Sequence, residues 1–404
     1  MRADGLFPLI LTNPELISSS CYKDVLKALL FTDKIPLQVN VCVHSVLIIA
    51  IGSFKSLEEM IRIMKKIHVD KNYEGEQGIE QMSFSDAWQF PIVAGFSLCG
   101  LYFSMQYFGK DAVNYFLLCY IAVGGAAGIK AMLTSFFGNA FDAYDNGYVI
   151  DINIKMIGLE IQATQFDLMC LVISCFQMLM YFLFKNWVFN NMMALIFCIH
   201  ALQSMFIGNF KNGFMLLTLL FFYDIFFVFG TDVMLTVAKG IDAPIKLQFP
   251  TDYSGEKPKY SILGLGDIVI PGIFVSLCLR FDFLKAINIK YLEGLLKKEA
   301  QGEDVSTVKY FVKTATSCNK TYFAAVNVGY FLAMVCTIIV MLVFEHGQPA
   351  LLYLVPGCCL SVMGTAMLKG EFSVMWNHSE DEYITPPDTE EDDKKTDSNK
   401  VKGE

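Results

Sequence analysis

Two aspartates lie in stretches of sequence that are otherwise almost wholly apolar. Asp224 stands in a phenylalanine-rich run, and Asp267 ends a Gly-Leu-Gly-Asp sequence. A carboxylate at the centre of a membrane helix costs about 2.5–3.5 kcal/mol on insertion scales, so each Asp needs a partner or a function. Two carboxyl groups a few ångströms apart cannot both ionise readily, so one keeps a proton while the other acts as a base. Such a pair can activate water and protonate a carbonyl, which is the chemistry of peptide hydrolysis.

Other functions are compatible with buried carboxylates. A single intramembrane Asp can simply form an interhelical hydrogen bond, and a pair can relay protons or bind cations in a transporter or channel. A scaffold that captures membrane helices without cleaving them is a third alternative. Metal and serine protease chemistry is not indicated, because the sequence has no His-Glu-x-x-His motif and no Gly-x-Ser-Gly motif with a matching His. We therefore expect no metal and no cofactor.

The sequence around Asp267 predicts an irregular backbone. Pro271 has no N–H to donate to the carbonyl of Asp267, four residues earlier, and its ring disfavours regular helix. Gly264 and Gly266 allow the chain to bend or another chain to approach closely. These residues predict a bent helix with Asp267 at the bend, lining a cavity where irregular backbone is tolerated within a membrane.

The elements that must position the aspartates are predicted to be membrane-spanning helices. The chain is 54% hydrophobic and 18% charged over 404 residues, well below the charge of a soluble domain. About 20 apolar residues span the bilayer. Nine stretches qualify, which predicts an all-α polytopic protein: 36–53, 90–108, 114–136, 166–184, 188–207, 213–238, 261–280, 322–344 and 348–368.

Loop charges predict the orientation of the chain. An N-terminus outside and a C-terminus in the cytosol place about twice as many Lys and Arg residues on the cytosolic side. Most of the net charge of −9 belongs to the acidic C-terminal tail, so no basic nucleic-acid surface is indicated. Lys400 and Lys402 near the end of that tail are similar to a dilysine signal for retrieval to the endoplasmic reticulum.

Three motifs together carry a resemblance to a known family. They are Tyr223-Asp224 in the sixth predicted span, Gly264-Leu265-Gly266-Asp267 in the seventh, and Gln348-Pro349-Ala350-Leu351 at the start of the ninth. This combination resembles the presenilin and signal peptide peptidase superfamily of intramembrane aspartyl proteases. The similarity to signal peptide peptidases is the nearer one, and it also covers 243–250, 271–274 and 279–282.

The resemblance implies the roles of the residues in these motifs. Asp224 and Asp267 would be the catalytic pair, and no cofactor would be needed. Pro349, Ala350 and Leu351 would shape the cleft and help to bind an unwound substrate. We assign a similar shaping role to the residues that flank the aspartates and the Pro-Ala-Leu sequence, namely Tyr223, Gly264, Leu265, Gly266 and Gln348.

The resemblance also implies a presenilin-like fold, residence in the endoplasmic reticulum membrane, and substrates that are membrane helices of signal peptides, tail-anchored proteins or type II proteins. Homo-oligomerisation and partners in degradation machinery stay open. We divide the chain into a lumenal segment (1–35), a membrane bundle of spans one to five (36–207), a catalytic membrane region of spans six to nine (208–370) and a disordered acidic cytosolic tail (371–404).

Overall fold

The fold is a bundle of long helices with two small β-hairpins. The computed structural model describes residues 37–69, 81–141, 148–154, 159–184, 186–241, 244–252, 259–288, 291–292, 294–295, 298, 307–344, 348–380 and 383. The helices are α1 Leu37–Val69, α2 Phe84–Phe108, α3 Lys110–Phe141, α4 Gln165–Phe184, α5 Trp187–Ser204, α6 Phe210–Phe229, α7 Val233–Gly240, α8 Gly266–Ala286, α9 Thr307–Ser317, α10 Thr321–Phe344, α11 Leu351–Lys369 and α12 Phe372–Trp376. The strands are β1 Tyr148–Ile154, β2 Leu159–Thr164, β3 Lys246–Asp252 and β4 Lys259–Gly264.

Each predicted span overlaps a helix of this bundle, which confirms an all-α polytopic membrane protein. In the described part of the chain, five helices are long and apolar enough to cross a membrane: those at Val41–Met64, Gln165–Phe184, Phe210–Phe229, Thr321–Met341 and Leu351–Lys369. The count of nine spans stays a prediction. The exposed surfaces of α2, α3 and α4 carry many large apolar side chains, as a lipid-facing surface requires.

Two predicted boundaries are wrong, and both lie next to the aspartates. The sixth span was expected to run from 213 to 238, but α6 ends at Phe229, and α7 begins separately at Val233. The seventh was expected from 261, but those first residues pair in β4, and α8 begins only at Gly266. Hydropathy misses both changes because apolar residues resume directly after Gly230-Thr231-Asp232, and because they continue from β4 into α8.

The second hairpin leads directly into α8. Strands β3 and β4 are antiparallel, with Lys246 opposite Gly264. Two asparagines of α5 hold the free side of β3: the Asn190 amide donates to the Lys246 carbonyl, and the Asn191 side chain exchanges two hydrogen bonds of 2.8 Å with the backbone of Gln248. These polar residues in an otherwise apolar helix therefore fix the strand pair that precedes Asp267.

Helix α8 lies at the centre of the bundle. It packs against α1, α5, α6, α10 and α11, and every residue from Pro271 to Leu284 is buried. The main apolar core is formed by these same helices, whereas α2, α3 and α4 contribute to a separate cluster with α5 and α7. Asp267 is thus carried on the most enclosed helix, at the end where burial is incomplete.

The first residues of the predicted disordered tail are ordered. Residues 371–380 form α12 and then return to the bundle, where Ser379 pairs with Asn209 and the Glu380 N–H donates to the Gly208 carbonyl over 2.8 Å. Trp376 stacks on Phe214. Residues 384–404 and 1–36 lie outside the described residues, and the four-part division of the chain stays a prediction.

Candidate active site

Asp224 lies in α6, with only 4% of its surface exposed. Its helix is strongly apolar around it, and the neighbouring Tyr223 ring tilts against Phe227 at 4.6 Å between centroids. Gly95 of α2 lets that helix approach closely, because a side-chain carbon there would lie 3.4 Å from the Phe227 ring. The Tyr223 side of α6 is therefore closed by α2, while the Asp224 carboxyl group is directed to another helix.

That other helix is α11, at its first residue. The backbone N–H of Leu351 donates to Asp224 Oδ2 over 3.0 Å. The first N–H groups of a helix have no partner within it, and the helix start carries partial positive charge, so this position favours a carboxylate. Pro349 and Ala350 deliver Leu351 to this point, since their carbonyls accept the next hydrogen bonds of the turn. The Pro-Ala-Leu sequence is thus joined to one of the two aspartates.

Asp267 also lies at a helix start, which differs from the predicted bend within a helix. It is the second residue of α8, half-buried, and the chain before it is a strand. Its carboxyl group points back towards the end of β4, because a side-chain carbon at Gly264 would lie 3.4 Å from Asp267 Oδ2. Helix α6, which carries Asp224, packs against both α8 and α11. The structure therefore places the two predicted aspartates on neighbouring helices.

The backbone of Asp267 has a partner that sequence reasoning missed. Tyr330 of α10, itself fully buried, donates from its hydroxyl to the Asp267 carbonyl over 3.3 Å. Residue 271 is proline, so the ordinary helical donor to that carbonyl does not exist. The sequence did hold a signal, because a missing donor in an apolar interior requires a replacement. Nothing in the sequence identified which residue provides it.

The remaining predicted residues lie around these two points. Leu265 connects β4 to α8: its N–H donates to the Ile245 carbonyl, and its carbonyl accepts from two residues of the first turn. Gly266 is exposed, Pro349 is buried, and Gln348 and Ala350 are half-buried. Among the described residues, no group of three His, Cys, Asp or Glu side chains is placed to hold a metal ion.

Comparison with known proteins decides the family. A family model described as signal peptide peptidase matches residues 74–382, which include both aspartates and the Pro-Ala-Leu sequence. The chain belongs to the signal peptide peptidase family. It is 34% identical to the signal peptide peptidase of Homo sapiens over 336 residues, covering 80% of this chain and 81% of the human protein. The signal peptide peptidase of Mus musculus gives the same identity, with 80% of each chain covered.

A nematode relative matches more closely over a shorter region. Intramembrane protease 2 of Caenorhabditis elegans is 40% identical over 245 residues, which cover 60% of this chain and 48% of the nematode protein. Family membership makes this chain a membrane-embedded protease. The two carboxyl groups, one held at the start of α11 and the other at the start of α8, form its candidate active site.

Proposed function

We propose that this member of the signal peptide peptidase family is an intramembrane aspartyl endopeptidase in which Asp224 and Asp267 act together on one water molecule. The observation that carries the proposal is the hydrogen bond from the Leu351 N–H to Asp224, which lies on a helix that packs against the Asp267 helix. The hydrogen bond joins two of the three sequence motifs, and the third motif begins the neighbouring helix α8.

The pair would divide the acid and base roles through one shared proton. The ionised carboxyl group takes a proton from the bound water as its oxygen attacks the carbonyl carbon of the substrate. The protonated carboxyl group gives its proton to the carbonyl oxygen, so a neutral tetrahedral intermediate forms. The base and acid have then exchanged protonation states, so which Asp starts as the base is a property of the pair.

Collapse of the intermediate completes the cleavage. A hydroxyl proton of the intermediate returns to the carboxylate, while the other carboxyl group protonates the leaving nitrogen. The C–N bond breaks, one fragment gains a carboxyl terminus and the other an amino terminus. The Leu351 N–H suits this cycle because it supports negative charge on Asp224 without itself titrating.

The substrate is proposed to be a transmembrane helix that unwinds locally at the site. A helical peptide bond is shielded and hydrogen-bonded, so an extended segment is needed to present its carbonyl. The names of the human and mouse relatives support remnant signal peptides as substrates. Type II and tail-anchored proteins share the orientation that the proposed topology accepts.

We further propose the cellular setting that the sequence predicts. The N-terminus is lumenal, the C-terminus cytosolic, and the protein resides in the endoplasmic reticulum membrane. Residues 208–370 supply the catalytic region, and residues 36–207 supply a supporting bundle. The bias of Lys and Arg residues towards the loops on the cytosolic side supports this orientation.

Nucleophile trapping tests the chemistry of the proposal. Purified protein in detergent is incubated with a labelled signal-peptide helix in the presence of hydroxylamine, and the products are analysed by mass spectrometry. Direct attack by water gives a free carboxyl terminus only, and an aspartyl-protease transition-state analogue abolishes the reaction. A hydroxamate terminus would reveal an acyl-enzyme and contradict the mechanism. Proton flux in proteoliposomes without any cleavage would favour a transporter.

A further inference from the structure

The first turn of α8 lacks a hydrogen bond that holds an ordinary helix together. In a regular helix the carbonyl of residue 267 would accept from the N–H of residue 271, and here that residue is Pro271. From Pro271 to Leu284 every residue of the helix is buried, whereas Gly266 is exposed and Asp267 is half-buried. The turn that carries Asp267 is therefore less restrained, by packing and by hydrogen bonding, than the enclosed middle of α8.

A side chain from another helix provides the missing donor. The Tyr330 hydroxyl reaches the Asp267 carbonyl over 3.3 Å, and the Tyr330 ring is completely buried in the main core. Tyr330 is carried by α10, which packs against both α8 and α1. Because the ring is enclosed by this packing, the hydroxyl donor is held in place relative to α8.

We propose that Tyr330 is a positioning residue for Asp267: its hydroxyl replaces the hydrogen bond that Pro271 cannot make, and thereby fixes the turn that carries the Asp267 carboxyl group. The inference rests on the proposed function, since it assigns a role through Asp267. Tyr330 does not touch the reacting atoms. Pro271 leaves the turn free to take the geometry of the site, and Tyr330 then locks that geometry.

The test is a double-mutant cycle between Tyr330 and Pro271. Tyr330→Phe removes only the hydroxyl, and we expect kcat for a labelled signal-peptide helix to fall roughly tenfold with KM changed less than about twofold. Pro271→Ala restores an N–H four residues after Asp267. In that background Tyr330→Phe should lower kcat by less than about twofold, because the carbonyl already has a donor. Equal losses in both backgrounds would overturn the proposal and indicate a general packing role.

Tyr322→Phe is the matched control for loss of a buried hydroxyl. Tyr322 lies on the same helix and is equally buried. Its hydroxyl donates over 3.1 Å to Glu371, which follows α11 and is remote in sequence from both aspartates. We expect its kcat to equal that of the wild type. Cleavage at the wild-type rate by Tyr330→Phe would contradict the inference alone. Cleavage by Asp267→Asn would contradict the proposed function itself, so the two failures are distinguishable.

Discussion

Helix α8 carries charged side chains at both ends, and their surroundings differ. At its start lies Asp267, and among the described residues no group donates a hydrogen bond to its carboxyl group. On the neighbouring helix α6, the Asp224 carboxyl group accepts one backbone hydrogen bond. At its other end, Arg280 is completely buried yet bonded to Glu380 over 2.7 Å and to Ser56 over 2.6 Å, with the Phe206 ring 4.3 Å away. Two residues further on, Asp282 accepts from the Phe323 N–H at the start of α10.

The difference separates two uses of charge in an apolar interior. At the Arg280 end, comprising Arg280, Ser56, Phe206 and Glu380, the buried cation is paired with a carboxylate, and this pair fastens the segment after α11 to α1 and α8. The Asp224 and Asp267 carboxyl groups have no ion-pair partner among the described residues, and they keep capacity for hydrogen bonds to water and a substrate carbonyl. A buried cation paired with a carboxylate is structural, whereas two carboxyl groups without a cation in an apolar interior mark a site for chemistry.

The largest expected effect is the loss of one partner at the Arg280 end. Glu380→Met leaves the Arg280 charge buried without its carboxylate, which should lower the free energy of unfolding by about 3–5 kcal/mol. Arg280→Met combined with Glu380→Met should cost less than either single change, because no buried charge remains. Thermal unfolding in detergent measures this. The cleavage rate of each folded variant should stay near that of the wild type. A loss of kcat without a loss of stability would contradict the structural role assigned to the Arg280–Glu380 pair.

Acid should destabilise the packing around Arg280, through the nearby His378. Burial and the nearby Arg280 charge lower the pKa of His378 from 6.5 to about 4. The unfolded chain then binds more protons than the folded one, so stability falls as pH drops from about 6.5 towards 4, by about 2 kcal/mol at pH 5. Glu371 does not interfere there, because the hydrogen bond from Lys285 lowers its pKa.

Trp376 reports this change. It stacks on Phe372 at 5.8 Å and on Phe214 at 6.0 Å, so its fluorescence should change if residues 371–380 leave the bundle. The measurement uses a chain in which Trp88 and Trp187 are replaced by Phe, so that Trp376 is the remaining tryptophan. His378→Gln should remove the transition between pH 6.5 and 5, and its persistence would assign the effect to another group.

A methyl group added beside the Asp267 carboxyl group should lower the cleavage rate more than it lowers thermal stability. An alanine at Gly264 would place a methyl group 3.4 Å from Asp267 Oδ2, where it occupies space beside the carboxyl group. We expect roughly tenfold lower kcat with little change in thermal stability. At Gly266 the nearest atom to such a methyl group is Ile270 Cδ1 at 3.9 Å, so Gly266→Ala should cost less. Equal losses would show that backbone freedom at the two glycines, rather than space beside Asp267, is what matters.

The smallest effect on stability is expected for a partly exposed ion pair. Lys285 and Glu371 form an ion pair with 31% of each side chain exposed. Exposed pairs contribute about 0–1 kcal/mol, so Lys285→Ala should lower the free energy of unfolding far less than Glu380→Met. A loss comparable to that of Glu380→Met would show that burial does not set the ranking.

The sequence predicted which residues lie near one another better than it predicted the backbone around them. Asp224 and Leu351 are hydrogen-bonded and Asp267 lies on a neighbouring helix, but the bend predicted from Pro271 is absent from α8, which is continuous from Gly266 to Ala286. The β3–β4 hairpin was missed because its apolar residues also fit the start of a helix, and pairing between distant strands decides the outcome. Glu380 could not be matched to Arg280 from sequence, because their contact depends on where the chain returns after α11. The contact between Tyr330 and Asp267 could not be predicted either, because it depends on how α10 packs against α8.

The cleavage rate of Asp267→Asn tests the central claim most directly. Asparagine keeps the size of the side chain but can neither ionise nor share a proton, and folding is checked by thermal unfolding. We expect cleavage of a labelled signal-peptide helix to fall by at least about 10³-fold, with thermal stability equal to or above that of the wild type, since the change removes a half-buried carboxyl group to which none of the described residues donates. An Asp267→Asn protein that cleaves at the wild-type rate would contradict the account.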